Sequence, residues 1–393
     1  MREGLRNDAP PPLISDMIQA RLRQDFSEAL WSIPDDFMQY SHFERVLKKI
    51  DMSSSPGYPY LLYCPTNAIF FKVDKEGRIP ESRAGEVWQM VQQRLLGDSD
   101  PDPIRLFVKP ECHSKKKLDE EKYRLISSVS VVDQLCDQML FSMMNDNLIE
   151  NWPHIPSKPG WSPYGGGWRH IPEGKWYATD ASSWDWTVQP WLVQMVLEAR
   201  KNLCTNPSEL WCELALKRYK ELFMNPLFVT SGGMLLRQLK PGVMKSGCVN
   251  TIADNSLMQY LLHLRVSYEL NIPVTGIYTM GDDRLQEPME RSDEYFSLTS
   301  QFCILKHVAL KQEFAGFVFG GKLVDPVHKG KHAYNLLHLN EKYEKEIAAS
   351  YCLLYHRSNY RDWIERMFLS IGIEVPSRAI RDYIYDSSSQ SVV

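Results

Sequence analysis

Long apolar runs are missing from the 393 residues. No stretch reaches the roughly 18 uninterrupted apolar residues of a membrane span, and the opening MREGLRNDAPPPL lacks the apolar core of a signal peptide. A soluble protein outside the usual secretory route is predicted. The eight cysteines form no C-x-x-C pair and no evenly spaced framework, which argues against a disulfide scaffold or a structural zinc and for reduced thiols. An excess of positive charge is missing too: 45 Lys and Arg stand against 49 Asp and Glu, so any polyanion site must be local. Repeats are absent. Low complexity is confined to APPP near the N-terminus and the Ser-rich DSSSQSVV at the other end, both expected to be loose. What remains, with 44% hydrophobic and 24% charged residues, is a globular composition long enough for two or three domains.

Periodicity places the elements. Ser130 can cap a helix whose apolar positions, Val132, Leu135, Met139, Leu140, Met143 and Leu148, repeat at three and four residues. Pro190 opens a second helix. Residues 151–174, dense in Pro, Gly, Trp and His, read as an irregular connector, and KWYAT before Asp180 and PVTGIYTM before Gly281 read as strands. Residues 340–393 read as mostly helical. His328 and His332 have the i, i+4 spacing of a helical metal site, but with a glycine between them VHKGKH reads as a solvated basic loop. Strands alternating with long helices predict an α+β or α/β core with flanking lobes.

Carboxylates carry the chemistry. In Met280-Gly281-Asp282-Asp283 a glycine permits a tight hairpin that pushes two acids out at its tip. Such tips are common in solvent, so the motif decides nothing alone. Asp180 ends a second strand, with Asp185 five residues on, and two strand ends carrying acids can supply hard oxygen ligands for Mg²⁺ in the layout of two-metal phosphoryl transfer. A structural alternative has Asp185 capping the helix at Pro190. From Arg105 to Arg124, seven Lys or Arg against four acids read either as a solvated loop or as a strand, loop, strand finger that meets phosphates. After Ser246 a small-residue loop enters a helix with Ile252, Ala253, Leu257, Tyr260, Leu261 and Leu264 on one face. Thr251, Asn255 and Met258 lie on the opposite face, either a plain solvent face or a set of polar groups for a sugar.

Together, SSPGYPY (residues 54–60), K-x5-K-x-K-x4-K-x-R (109–124), D-x4-D (180–185), SG-x3-T-x3-N (246–255) and GDD (281–283) resemble, in order and spacing, the RNA-directed RNA polymerases of positive-strand RNA viruses. RLFVKPE, LISSVS-x2-DQ and DWTVQ are most similar to the sobemovirus and polerovirus branch. The resemblance covers residues 50–320 and implies a right-hand α+β fold of fingers, palm and thumb, its palm an antiparallel sheet flanked by helices. It divides the chain into an N-terminal region and fingers (1–130), fingers and palm (131–202), a fingers insertion (203–242), palm (243–320) and a small thumb with a loose tail (321–393).

Residue by residue, the resemblance implies that Asp180 and Asp282 bind two Mg²⁺ ions, for which Mn²⁺ can substitute, with Asp283 assisting. Asp185 and Asn255 would read the ribose 2′-hydroxyl, supported by Ser246 and Thr251. Lys109, Lys117, Lys122 and Arg124 would line the nucleotide path, and Ser54, Ser55 and Gly57 would touch the template. A lysine after the GDD hairpin would act as general acid. Lys306 and Lys311 both qualify, spacing does not decide, and the reading leans to Lys311. Implied partners are RNA template and nascent strand, NTPs and other viral replication proteins, with a genome-linked protein primer left open. The implied location is the host cytoplasm, in membrane-associated replication complexes.

Two departures stand out: the loop between Asp180 and Asp185 carries SSW where SGF or SGY is commoner, and EFAGF (313–317) lacks the Cys-Ser pair of the sobemovirus primer grip. With only 73 residues after position 320, a large priming platform is not expected, although a loop within 322–335 could serve. The rivals are a reverse transcriptase, which would carry an aromatic residue in place of Asp185, and a non-catalytic RNA-binding replication subunit.

Overall fold

The computed structural model describes residues 4–387. Helices come first: α1 (Pro12–Asp25), α2 (Tyr40–Leu47), α3 (Asn67–Phe70) and α4 (Glu81–Leu96). β1 (Ile104–Val108), a short α5 (Lys115–Asp119) and β2 (Leu125–Ser128) make the basic segment a strand, helix, strand finger. The predicted helix follows as α6 (Val131–Glu150), with the Ser130 hydroxyl accepting the Asp133 N–H at 3.3 Å. The connector to residue 174 holds only one 3-10 turn.

Next come β3 (Tyr177–Ala181), α7 (Trp184–Thr187), α8 (Pro190–Asn202), α9 (Glu209–Phe223), β4 (Leu227–Thr230) and β5 (Leu235–Arg237). They lead into α10 (Thr251–Glu269), β6 (Ile277–Met280), β7 (Asp283–Gln286), α11 (Ser292–Thr299) and β8 (Leu305–Leu310). β9 (Glu313–Phe314), β10 (Phe317–Gly320), β11 (Leu323–Pro326), α12 (Lys329–Leu337), α13 (Glu344–Leu354), α14 (Arg361–Ser370) and α15 (Arg378–Asp386) complete the chain.

The strands form three sheets. β6-β7-β3-β8, antiparallel throughout, is the expected palm sheet. β2-β1-β4-β5 joins the basic finger to the 203–242 insertion through parallel pairing of β1 with β4. The third, β11-β10-β9, straddles residue 320, so the boundary drawn there falls inside one sheet, not between domains. Pairing is the reason: Val318 opposes both Glu313 and Asp325.

Two expectations about the ends need correction. Ala-Pro-Pro-Pro leads directly into α1, and Arg6, Asp8, Glu269 and Arg265 form an ion-pair cluster ahead of it, so charge ties this end down. The start of the Ser-rich tail is also held, since Asp386 takes the Arg357 guanidinium on both oxygens at 2.7 Å. Residues 388–393 of that tail lie outside the described residues. VHKGKH is not a loop: Lys329 begins α12, and the His332 ring hydrogen-bonds the Tyr355 hydroxyl at 2.8 Å, a tertiary contact that outweighs the helix penalty of Gly330.

The amphipathic reading of the helix after Ser246 also fails. Every residue of α10 from Ala253 to Ser267 is buried, Met258 included, against α1, α8, α11 and β6. Its polar side chains are therefore paired with protein, because leaving them dry and unpaired costs several kcal/mol each. Asp254 takes Arg200 at 2.7 and 3.0 Å and the Tyr219 hydroxyl at 2.7 Å, and Arg200 reaches Asn145 at 2.9 Å. Both charged side chains are fully buried. Asp254→Ala strands the Arg200 charge, so urea unfolding is expected to show a loss of about 3–5 kcal/mol; a loss under 1 kcal/mol would mean water reaches the guanidinium.

Candidate active site

The β6-β7 hairpin presents the acids. Gly281 turns it at φ 63°, a left-handed backbone that glycine adopts at no steric cost, and Met280 pairs with Asp283 across the turn. Asp283 is also the direct cross-strand partner of Asp180 on β3, so both side chains leave the same face of the palm sheet, with Asp282 exposed at the tip beside them. Crowding shows in their protonation. Burial, then the charges of Asp282 and Asp180, push Asp283 up to about 7. Loss of hydration, then Asp180, raises Asp282, while Arg124 and Lys306 pull it back down. Among the described residues no three His, Cys, Asp or Glu converge as a finished metal cage. The three aspartates are nevertheless hard oxygen donors with mutually unfavourable charge, a donor set that suits a divalent cation.

Lys306 answers part of that charge: its ammonium lies 2.9 Å from an Asp180 carboxylate oxygen. Geometry departs here from the lean toward Lys311. The β3-β8 register slips between Asp180 and Ala181, which face His307 and Leu305, and Lys306 is the extra residue of that bulge. A bulge re-aims a side chain, here toward the acids. Lys311 sits where β8 meets Trp176, four residues back along β3, and pairs with Glu313. At about 3.4 Å per residue it stands roughly 14 Å down the strand.

Asp185 does not cap α8, whose N-cap is Gln189; it lies within α7. One of its carboxylate oxygens accepts the Asn255 amide N–H at 2.9 Å, and the Asn255 carbonyl accepts the indole N–H of Trp184 at 3.0 Å. Burial raises the Asp185 carboxyl, against the Asn255 hydrogen bond and with the charge of Asp282. From the next residue and a turn beyond, α10 grips the hairpin: the Ser256 hydroxyl accepts the Gly281 N–H at 2.9 Å, and Gln259 receives the Arg284 guanidinium. The Thr251 hydroxyl shares its hydrogen between the Lys245 and Cys248 carbonyls, at 2.7 and 2.8 Å, and so closes the loop before α10. Ser246 accepts the Ser127 N–H at 3.0 Å and so fastens the loop before α10 to β2.

Of the basic residues, Arg124 is electrostatically felt at Asp185 and Asp282. Arg124 and Lys109 converge on Glu111, at 3.5 and 3.4 Å, and Lys331 of α12 reaches the same carboxylate at 3.1 Å. Burial opposes it, but the three cations hold that carboxyl at about 2. Lys122 pairs with Glu120, and Lys117 is exposed on α5. At the N-terminal motif, Ser54 and Ser55 are exposed, whereas Gly57 is buried at φ 73°, where a Cβ would lie 2.9 Å from the Ser130 Cα; its role in the fold is packing. Sequence reasoning missed Glu111, Ser256, Gln259 and the indole of Trp184. Only Trp184 left a signal, as a departure from the usual loop.

A palm sheet carrying facing acids, with the hydrogen-bonded Asp185–Asn255 pair beside them and a basic finger reaching the C-terminal lobe, defines a right-hand nucleic-acid polymerase fold. The chain belongs to the viral RNA-dependent RNA polymerase family, whose profile matches residues 37–312. It is 30% identical over 323 residues to Protein P1-P2 of Potato leafroll virus, covering 74% of this chain and 29% of that protein. It is 32% identical over 308 residues to Replicase polyprotein P2AB of Southern cowpea mosaic virus, covering 71% and 30%. The chain thus spans less than a third of the length of these curated relatives. Among solved structures it is similar to Sicinivirus 3Dpol RNA dependent RNA polymerase, with a TM-score of 0.70, 18% identity, and coverage of 97% of this chain and 86% of that one.

The Asp283 shift has a consequence for stability. With a folded value of about 7 against an ordinary 3.8, the native chain holds a proton that the unfolded chain has released, so stability falls as pH rises between those values. In buffer without divalent cations, the wild type is expected to lose stability relative to Asp283→Asn from pH 4 to pH 7, with a limiting slope of about 1.4 kcal/mol per pH unit. Parallel urea-unfolding profiles for the two proteins would remove the shift.

Proposed function

We infer that this chain is the polymerase unit of a viral replicase, extending an RNA 3′ end by one nucleotide per cycle on an RNA template. The observation that carries it is the cross-strand pairing of Asp180 with Asp283, with Asp282 at the adjoining turn. In the reaction the 3′ oxygen bonds to the α-phosphorus of an NTP in line, the bond from that phosphorus to the bridging oxygen breaks, and pyrophosphate leaves. Asp180 and Asp282 would hold two Mg²⁺ ions, or Mn²⁺ in their place, with Asp283 assisting; when bound, such ions lower the pKa of the attacking hydroxyl and neutralise the leaving group.

The chain's own residues do the rest. Asp185 and Asn255, already joined by a hydrogen bond, offer an acceptor and an amide to the ribose 2′-hydroxyl. Arg124, exposed and close enough to influence Asp185 and Asp282, meets the triphosphate, with Lys109, Lys117 and Lys122 along the approach. The exposed Ser54 and Ser55 would touch the template. Lys306 is the cation at the acids and serves as the general acid that protonates the departing pyrophosphate. The polar Asp185 favours this reading over a reverse transcriptase. Other viral replication proteins, and a setting in membrane-associated complexes of the host cytoplasm, belong to the same proposal.

Purified protein is expected to incorporate NTPs on a primed RNA with Mg²⁺, and Asp180→Ala and Asp282→Ala are each expected to abolish that activity while RNA binding survives. More than a trace of activity in both variants at saturating Mg²⁺ would overturn the assignment of the acids. Between the lysines, Lys306→Leu should slow turnover about 10²-fold or more at unchanged RNA affinity, and Lys311→Leu should not. The reverse ranking would return the acid role to Lys311.

A further inference from the structure

The loop between the two aspartates carries a side chain with no part in the chemistry above. Trp184 is 3% exposed, and its indole N–H donates to the carbonyl oxygen of Asn255, itself 4% exposed. The other end of the same amide donates to Asp185. An amide is nearly symmetric in shape, so its orientation is set by its neighbours. Indole can only donate and an ionised carboxylate can only accept, so an amide held between them has one orientation.

We propose that Trp184 is the positioning residue for sugar selectivity: its indole N–H fixes the Asn255 amide so that Asp185 and Asn255 together face the 2′-hydroxyl. The proposal rests on the reading of those two residues given above. The physical reason is what happens without the donor. A phenylalanine fills most of the indole volume but leaves the Asn255 carbonyl buried and unpaired. The Asp185 carboxylate still holds the NH2 end, but nothing holds the carbonyl end, so the amide swings about that one hydrogen bond toward any donor within reach. Asp185 and Asn255 then no longer hold an acceptor and an amide at fixed positions for a hydroxyl that must both donate and accept. Since a 2′-deoxy sugar makes no such contact, the loss falls on ribonucleotides.

The test is single-nucleotide incorporation by the full chain with each NTP and its 2′-deoxy counterpart. Trp184→Phe is expected to lower kcat/KM for the ribonucleotide much more than for the deoxynucleotide, narrowing the preference about tenfold. Asn255→Ala should narrow it at least as much. The double variant should match Asn255→Ala alone, since both changes act through one amide. Equal losses on both sugars in Trp184→Phe would make Trp184 a packing residue and overturn the proposal, as would an unchanged preference. If Asn255→Ala itself leaves the preference unchanged, the underlying reading of the sugar pair fails instead. Should Trp184→Phe not fold, 3-benzothienylalanine at position 184, which replaces the indole N–H by sulfur at nearly the same shape, carries the same expectations.

Discussion

A helix buried on all sides cannot leave its polar groups to water, and this constraint on α10 organises the rest of the molecule. Most of the polar side chains it carries inward are matched by partners from different elements. Asp254 takes Arg200 of α8 and Tyr219 of α9; Asn255 takes the loop after β3; Ser256 takes the turn of the GDD hairpin; His263 takes Tyr295 of α11. Consecutive residues 254, 255 and 256 thus reach toward three parts of the fold. Because a helix advances only 1.5 Å per residue, the relative positions of the GDD hairpin and of the Asp185–Asn255 pair are set within one turn of a rigid rod. Burying the Arg200–Asp254 pair adds little net stability over an apolar pair, but it permits one arrangement and penalises others heavily.

Charge is distributed on the same logic. The acids are crowded on one face of the palm sheet with one ion pair among the described residues, Lys306 to Asp180, so they retain demand for positive charge. The basic finger is the opposite case: its cations are drawn together by Glu111, which also holds Lys331 across the gap to the C-terminal lobe. A second contact, Cys112 to Asn335 at 3.5 Å, reinforces that crossing. A chain with net charge −4 therefore concentrates cations at the mouth of the site without becoming basic overall, and the acid that gathers them also closes the ring between finger and α12.

How much of this the sequence discloses depends on whether a feature is local. The Ser130 cap, the helix of α6 and the GDD hairpin were legible because capping, period and turn chemistry act within a few residues. Motif order was legible because the family keeps it. Three things were not. The amphipathic pattern of α10 was misread because its polar side chains meet protein where solvent was assumed, and the partners of Asp254, Asn255 and Ser256 lie 25 to 71 residues away. The helix through VHKGKH depends on Tyr355, 23 residues on. The choice between Lys306 and Lys311 turns on one bulged residue in β8, and strand register is invisible to spacing.

The short loop from Ser182 to Asp185 shows why an unusual sequence there can still be exact. Ser183 takes φ 52°, a conformation that a glycine in the commoner loop would reach freely and that costs an ordinary residue about 1–2 kcal/mol. Strain of that kind persists only where surroundings fix it from several directions. Here the Ser182 N–H donates to Ile304 before β8, the Asp185 carbonyl accepts Met244 N–H from the segment before α10, and the Trp184 indole reaches α10 itself. The three anchors come from three separate stretches of chain, so the loop is defined by its partners more than by its own flexibility. Losing a glycine removes freedom that the loop does not use, and gaining an indole in place of a plain ring adds a donor where a buried carbonyl needs one. The two departures from the usual sequence then act in the same direction, toward a loop with a single conformation between Asp180, near the end of the strand, and Asp185, bonded to α10.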